Sequence, residues 1–239
     1  MQSYAEIIAK NLLRVRACIA RAANRVRRDP DGITIVAVSK THPAGAIRAA
    51  FDAGIRHFGE NRVQEWEAKR GLLHDVTATW HLIGHLQSNK TARAVELFDV
   101  VDSVDSIPQI QQLERFVKDG RRLPILLEVR MDAANAKTGF AKDNVPPAVE
   151  AAFAAPKIEL RGLMCIPPFF DVPDQARVYF RGLRELRDSL VLRYDRPLPV
   201  LSMGMSHDFE IAIEEGATEI RLGTALFGPR EPLKVDSEP

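Results

Sequence analysis

Residues 33–40 read ITIVAVSK, a β-branched apolar run that stops at a lysine. Runs of this kind form buried strands, so Lys40 is expected where a strand leaves the core, with its amine on the rim. Partial burial disfavours the ammonium form and makes the neutral, nucleophilic amine accessible; such an amine condenses with an aldehyde to give a Schiff base. A lysine that merely snorkels out of a strand end is the commoner case for such a segment taken alone. Two loops near the other end of the chain have the makings of an anion site. Ser202-Met203-Gly204-Met205-Ser206 follows an apolar run and precedes a helical pattern, and Gly223-Thr224 closes the last apolar run. Glycine lets backbone approach a ligand, serine and threonine supply hydroxyls, and the N–H groups that open a helix attract anions. The bland alternatives are a helix cap at Ser206 and a turn at Gly223. Arg221 lies two residues before Gly223. Pointing inward it would donate to a ring nitrogen of a bound heterocycle; otherwise it is a strand-end ion pair.

These groups cooperate only if the fold gathers the ends of distant strands. Short apolar runs at 33–38, 55–58, 79–83, 99–101, 125–129, 160–165, 200–203 and 219–222 alternate with helical patterns at 43–53, 61–72, 88–98, 106–119, 145–155, 173–192 and 206–215. Pro43, Ser88, Ser106 and Pro173-Asp174 mark helix starts. Strand–helix alternation predicts a parallel sheet covered by helices. Eight strand candidates in this length fit an α/β fold of the (β/α)8 barrel type, with a doubly wound sheet as the alternative. One extra helix precedes the barrel: Ser3 and Glu6 form a capping box, and Ile8, Leu12, Val15, Ile19 and Val26 keep helical spacing to about Arg28. Residues 1–228 are expected to form a single domain and 229–239 a flexible tail. In such barrels catalytic groups sit at the C-terminal ends of strands, and phosphate sites recur after strands seven and eight. Lys40 and the two glycine loops fall at those ends. A lysine amine, a phosphate cradle and an arginine between them describe a pocket for a phosphorylated aldehyde, and pyridoxal 5'-phosphate meets that description.

Bulk properties exclude several other classes. The chain has 239 residues, 46% hydrophobic and 27% charged, with a formal net charge of +1, so it exerts no general pull on nucleic acid or anionic membranes. Arg21, Arg25, Arg27 and Arg28 cluster at a helix end, where cations meet the carbonyl pole and solvent. Cys18 and Cys165 have neither CxxC nor metal-ligand spacing and read as small buried hydrophobes, with no metal site expected. No apolar stretch reaches the roughly 20 residues of a membrane span, and the first helix carries Glu6, Lys10 and Arg14. A cytoplasmic location is expected.

Several segments in order resemble one family: VAVSKTHP ending at Pro43, HFGENRVQE (57–65), WHLIGHLQSNK (80–90), GLMCIP (162–167) and LSMGMSHDFEIAIEEGATEIRLGTALFG (201–228). They are similar to the pyridoxal-phosphate homeostasis proteins, a single-domain branch related to the barrel of alanine racemases. The resemblance implies a fold type III barrel with Lys40 as the Schiff-base lysine. It further implies Ser206, Gly223 and Thr224 at the phosphate, Arg221 at the pyridine nitrogen and Asn61 near the cofactor; Met205, beside Ser206, is counted with the cofactor-binding residues. Two departures concern the outer rim. Arg62 stands after GEN where family members often carry an aromatic residue, and the 129–140 segment keeps only the KTGF end of the family pattern.

Racemisation needs an acid/base group on each face of the substrate α-carbon. Lys40 serves one face, but the racemases resembled here take the second from a tyrosine on another domain of a partner subunit. Tyr4, Tyr179 and Tyr194 are all predicted away from the barrel mouth, which leaves only His85 as a candidate substitute, and a hydrogen-bonded loop histidine is the commoner reading of that residue. An arginine at the pyridine nitrogen also weakens the ring as an electron sink. A non-enzymatic carrier that stores and buffers pyridoxal phosphate and delivers it to apoenzymes is therefore the first expectation, as a monomer or weak dimer. A low-rate amino-acid racemase or related enzyme is the second, and an aldolase-type barrel acting on a sugar phosphate the third.

Overall fold

Each apolar run becomes a strand, and each strand pairs in parallel with the next. In the computed structural model, which describes residues 3–132 and 138–229, these are β1 (Thr34–Val38), β2 (His57–Glu60), β3 (Thr79–Leu82), β4 (Val100–Val104), β5 (Leu123–Glu128), β6 (Ile158–Met164), β7 (Val200–Ser202) and β8 (Glu219–Leu222). They hydrogen-bond in chain order, and β1 pairs back onto β8 with Val36 beside Arg221, closing the barrel and excluding an open sheet. The helices are α1 (Tyr4–Arg25), α2 (Ala44–Asp52), α3 (Val63–Arg70), α4 (Thr91–Leu97), α5 (Ile107–Phe116), α6 (Val145–Ala154), α7 (Arg177–Tyr194), α8 (Phe209–Glu214) and α9 (Thr224–Phe227). Of the expected tail, 229–239, only Pro229 is among the described residues; 230–239 and the segment 133–137 lie outside them.

The alternating side chains of the strands serve two different cores. Outward-facing Ala37, Phe58, Leu82, Val101, Ile125, Leu163 and Ile220 pack with helix residues such as Trp66, Ile110, Leu113 and Phe180 in the main hydrophobic core. Val36, Val38, Ile83, Leu126 and Met164 are buried apart from that core and fill the barrel lumen. Helix α1 starts at the expected capping box, Ser3 N–H to Glu6 at 3.0 Å and Glu6 N–H to Ser3 at 3.3 Å. It buries Ile8, Leu12, Val15, Ile19, Ala22 and Ala23 as one stripe, and each large side chain so buried contributes roughly 1.5–3 kcal/mol.

Several boundaries differ from expectation for local reasons. Strand β4 runs on through Asp102 and Ser103, polar residues that hydrophobic patterning reads as a loop. Helix α8 begins at Phe209 because a turn precedes it, in which the Asp208 carboxylate accepts the Met205 N–H at 2.6 Å. Ser206 is therefore not its cap. Ser106 occupies the N-cap position of α5 without a side-chain cap bond, and Ser88 lies in a short 3-10 turn before α4. The arginines after α1 are more than a solvated terminus: Arg25 pairs with Glu214 at 2.9 Å, and Arg28 donates to the Ile213 and Ala217 carbonyls at 2.7 and 2.8 Å, fastening the end of α8. Cys165 is fully buried, which pushes its thiol up to about 12, whereas Cys18 is only half-buried. No described helix is long and apolar enough to cross a membrane.

Candidate functional site

A cavity of about 260 Å³ opens at the C-terminal mouth of the barrel. All seven residues singled out from the sequence line it: Lys40, Asn61, Met205, Ser206, Arg221, Gly223 and Thr224. They come from the ends of β1, β2, β7 and β8, which barrel closure places side by side although up to 184 positions separate them in sequence, 224 less 40. Lys40 is half-buried, two residues beyond the end of β1. The Asn61 backbone packs closely against Gly84, where a Cβ would run into the Asn61 carbonyl and Cα.

The wall formed by β7 and β8 has the shape of an anion cradle. Gly204 has φ +92°, and a Cβ there would lie 2.5 Å from Ala212 and 3.0 Å from Phe209, so only glycine carries the chain through this turn. Ser206 Oγ accepts the Ala225 N–H at 3.1 Å, which ties the β7 loop to the first turn of α9 and leaves the hydroxyl proton to donate. Arg221 is 4% exposed, and its hydrogen bonds go to neutral acceptors: Ser202 O at 2.8 Å, Ser202 Oγ at 2.7 Å and Cys165 O at 2.8 Å. The strand-end ion pair considered from sequence is thus replaced by three fixed dipoles that set the plane of the guanidinium. None of the twelve described residues lining the cavity is acidic, while Lys40 and Arg221 bring cationic groups. Amine, hydroxyls, helix-opening N–H groups and guanidinium together fit a phosphorylated heterocyclic aldehyde.

Five further lining residues were not anticipated: Val38, His42, Ile83, Ile166 and His207. His42 stacks on Phe227 with ring centroids 4.5 Å apart, and His207 stacks on Phe169 at 5.1 Å while its Nε2 lies 3.0 Å from the Phe170 carbonyl. Both histidines sit in the loops that carry Lys40 and Ser206, and that shared position was the available signal. His85, weighed as an acid/base group, is outside the lining; it is largely exposed and its Nδ1 lies 3.0 Å from Asp105. None of the three tyrosines lines the cavity either. Tyr194 donates to Glu150 at 2.7 Å, and Tyr179 stacks on Phe170 at 5.7 Å.

Comparison with known proteins decides the family. Residues 11–231 match the model of the alanine racemase N-terminal domain. The chain is 44% identical over 225 residues to the pyridoxal phosphate homeostasis protein of Pseudomonas aeruginosa, covering 94% of this chain and 96% of the relative. It is 40% identical over 223 residues to that of Aquifex aeolicus, covering 93% and 98%. The chain belongs to the pyridoxal phosphate homeostasis protein family. A solved structure of PipY from Synechococcus elongatus PCC7942 with PLP bound is 38% identical, with a TM-score of 0.83 and coverage of 92% of this chain and all of that one. Alanine racemase from Corynebacterium glutamicum, at 16% identity and a TM-score of 0.74 over 95% of this chain and 62% of that one, shares the barrel fold.

In this family member a second polar layer lies in the lumen beneath the cavity. His81 Nδ1 is 3.1 Å from Asp102, its Nε2 is 3.0 Å from His57 Nδ1, and a ring nitrogen of His81 and a carboxylate oxygen from each of Asp102 and Glu219 all lie within 4.8 Å of one another. Burial alone drives the His81 imidazole down. The Asp102 charge and hydrogen bond, with help from Glu219 and Asp99, outweigh it and raise the pKa to about 9. Glu219 is pushed up by burial and by the charge of Asp102, and His57 is pushed down by burial and by its His81 neighbour. The sequence segment that carries His81 was recognised, but its polar residues were not separated into lumen and loop.

Proposed function

We propose that this chain holds pyridoxal 5'-phosphate as a Schiff base on Lys40 and serves as a store and buffer of that cofactor in the cytoplasm, passing it on to apoenzymes. The observation that carries the reading is the convergence of the Lys40 amine, the Ser206–Thr224 wall and the Arg221 guanidinium on one cavity. The bound cofactor supplies a reactive aldehyde and an electron-withdrawing ring. The chain's own groups do the rest. Ser206, Gly223 and Thr224 would hold the phosphate, Arg221 would meet the pyridine nitrogen, and Asn61 and Met205 would lie near the cofactor. A guanidinium donor at that position would leave the ring nitrogen unprotonated, and such a ring would stabilise a carbanion poorly. With no tyrosine among the lining residues, the cavity also lacks the usual partner for Lys40 on the opposite face of an α-carbon. Both features favour holding and exchanging the aldehyde over racemising an amino acid. A monomer or weak dimer suffices, because every residue invoked comes from one chain.

The test is direct. Purified protein given the cofactor should become coloured, and borohydride should fix the label on Lys40; Lys40→Ala should lose both colour and label completely. Colourless wild-type protein under excess cofactor would overturn the reading. Wild-type protein with L-amino acids in deuterated water should show no α-deuteration above the Lys40→Ala control. Exchange over many turnovers would establish an enzyme instead.

A further inference from the structure

A lysine amine is only as well placed as the backbone beneath it, and the backbone around Lys40 is gripped from one side. Thr41 has φ +66°, a region where a β-branched residue is an outlier, and among the described non-glycine residues only Arg27 and Asp195 share its sign. Two peptide groups flank the Lys40 Cα. The carbonyl of the first, Ser39 O, accepts from Lys69 Nζ at 3.1 Å, and the N–H of the second, Thr41 N, donates to Glu65 Oε1. Lys69 and Glu65 are themselves paired at 2.7 Å, one turn apart on α3. Lys69 directs a third bond, 3.0 Å long, to Glu60 Oε1, which also accepts from Ser39 Oγ at 2.7 Å. All three donors of the Lys69 ammonium are thereby committed. Glu60 is fully buried, and neither it, Glu65 nor Lys69 lines the cavity.

We propose that Glu65 and Lys69, backed by Glu60, are positioning residues for Lys40. The ion pair on α3 holds the peptide groups on both sides of the lysine and fixes Thr41 in its left-handed turn, so that the Lys40 side chain leaves β1 toward the cavity. Three features separate this from an ordinary surface pair. The pair touches backbone on both sides of one residue, it compensates a conformation that the residue's own side chain opposes, and it is anchored to a buried carboxylate. The inference rests on the reading of Lys40 as the Schiff-base lysine, but its geometry exists before any cofactor arrives.

The experiment uses full-length protein prepared without cofactor, then loaded with pyridoxal 5'-phosphate. Variants are Glu65→Ala, Glu65→Gln, Thr41→Gly, and Thr41→Gly combined with Glu65→Ala. Amide hydrogen exchange on the cofactor-free protein reports the clamp by itself. Glu65→Ala should speed exchange at residues 40–42 at least tenfold while the amides of β4–β6 keep their protection. After loading, Glu65→Ala should release cofactor at least tenfold faster and give less borohydride-fixed label on Lys40, with Glu65→Gln in between. Glycine adopts the left-handed turn without opposition, so Thr41→Gly in the Glu65→Ala background should recover a large part of the retention. Wild-type exchange and release in Glu65→Ala would overturn the inference, as would loss of protection throughout the barrel without rescue by Thr41→Gly, which marks a merely structural role. If wild-type protein forms no adduct at Lys40, the functional reading fails, whereas the exchange data still decide whether the clamp exists.

Discussion

The barrel carries two tiers of polar side chains, and they solve the problem of burial in opposite ways. In the lower tier His57, His81, Asp102 and Glu219 face one another inside the lumen, and the ionic partner of His81 is another residue of the tier. In the upper tier Lys40, Asn61, Ser206 and Thr224 converge on an open cavity. Arg221 spans the two: it lines the cavity while its guanidinium is braced by Ser202 and Cys165 below. Buried polar groups must be matched; the lower set finds its matches largely within itself, whereas the upper set also faces a cavity. Among the described residues two buried carboxylate oxygens have no hydrogen-bond partner, Glu60 Oε2 beneath the Lys40 loop and, in the lower tier, Glu219 Oε1. Burial and the Asp102 charge push that carboxyl up, which lessens the cost of leaving it there.

The largest effect that would break this contrast is expected in the lower tier. His81→Ala leaves Asp102 and Glu219 buried together without their cation, a change that costs about 3–5 kcal/mol when one partner of a buried ion pair is removed. Denaturant unfolding should show that loss, while cofactor affinity measured under conditions where the variant is folded stays within a few-fold of wild type. A loss below about 1 kcal/mol would mean that the tier is not a closed ionic cluster. Somewhat smaller is the pH effect of the same residue. Folding raises the His81 pKa from 6.5 to about 9. Its paired imidazolium therefore contributes fully below about 6.5, and that contribution, on the order of 3 kcal/mol, fades as pH climbs through about 9. The stability of wild type minus that of His81→Ala, followed by denaturant titration from pH 6 to 10, should fall across that window. A flat difference would place the charge elsewhere.

The upper tier was far more legible in the sequence than the lower. Lys40 ends an apolar run, and Gly204, Ser206 and Gly223 stand out as turn and anion chemistry just after apolar runs, so the rule that barrel sites sit at strand ends was enough to collect them. Asp102 and Glu219 lie inside strands, where a charged residue argues against a strand by propensity and gains meaning only once eight strands enclose a lumen. His81 alternates with Trp80 and Leu82, a pattern that says which residues share a face but not that this face meets Asp102 from the neighbouring strand. The Lys40 clamp was hidden for a related reason. Glu65 and Lys69 have ordinary helical ion-pair spacing, and nothing in that spacing reveals that both reach back to the loop after β1. The short helix α9 went unrecognised because four residues are too few for a helical period to be seen.

The smallest effect sharpens the comparison most, because it separates ligand-directed polarity from structural polarity within one loop. Ser206 Oγ accepts the Ala225 N–H, so its hydroxyl joins two loops as well as offering a proton to the cavity. Thr224, at the first position of α9, offers its own hydroxyl from the facing loop. Ser206→Ala and Thr224→Ala should each weaken binding of pyridoxal 5'-phosphate by about 1–3 kcal/mol, the range of a hydrogen bond to a charged group. Were these hydroxyls only structural, pyridoxal, which lacks the phosphate, would be weakened equally. Titrating the single variants and the double variant with both vitamers, and following the absorbance of the bound form, distinguishes the two. The expected outcome is a loss confined to the phosphorylated ligand, with the double variant binding both vitamers alike. Equal losses for both ligands would move Ser206 and Thr224 into the company of His81 and Asp102, as residues that hold the barrel's own loops together, and would leave the phosphate to be sought elsewhere along the mouth.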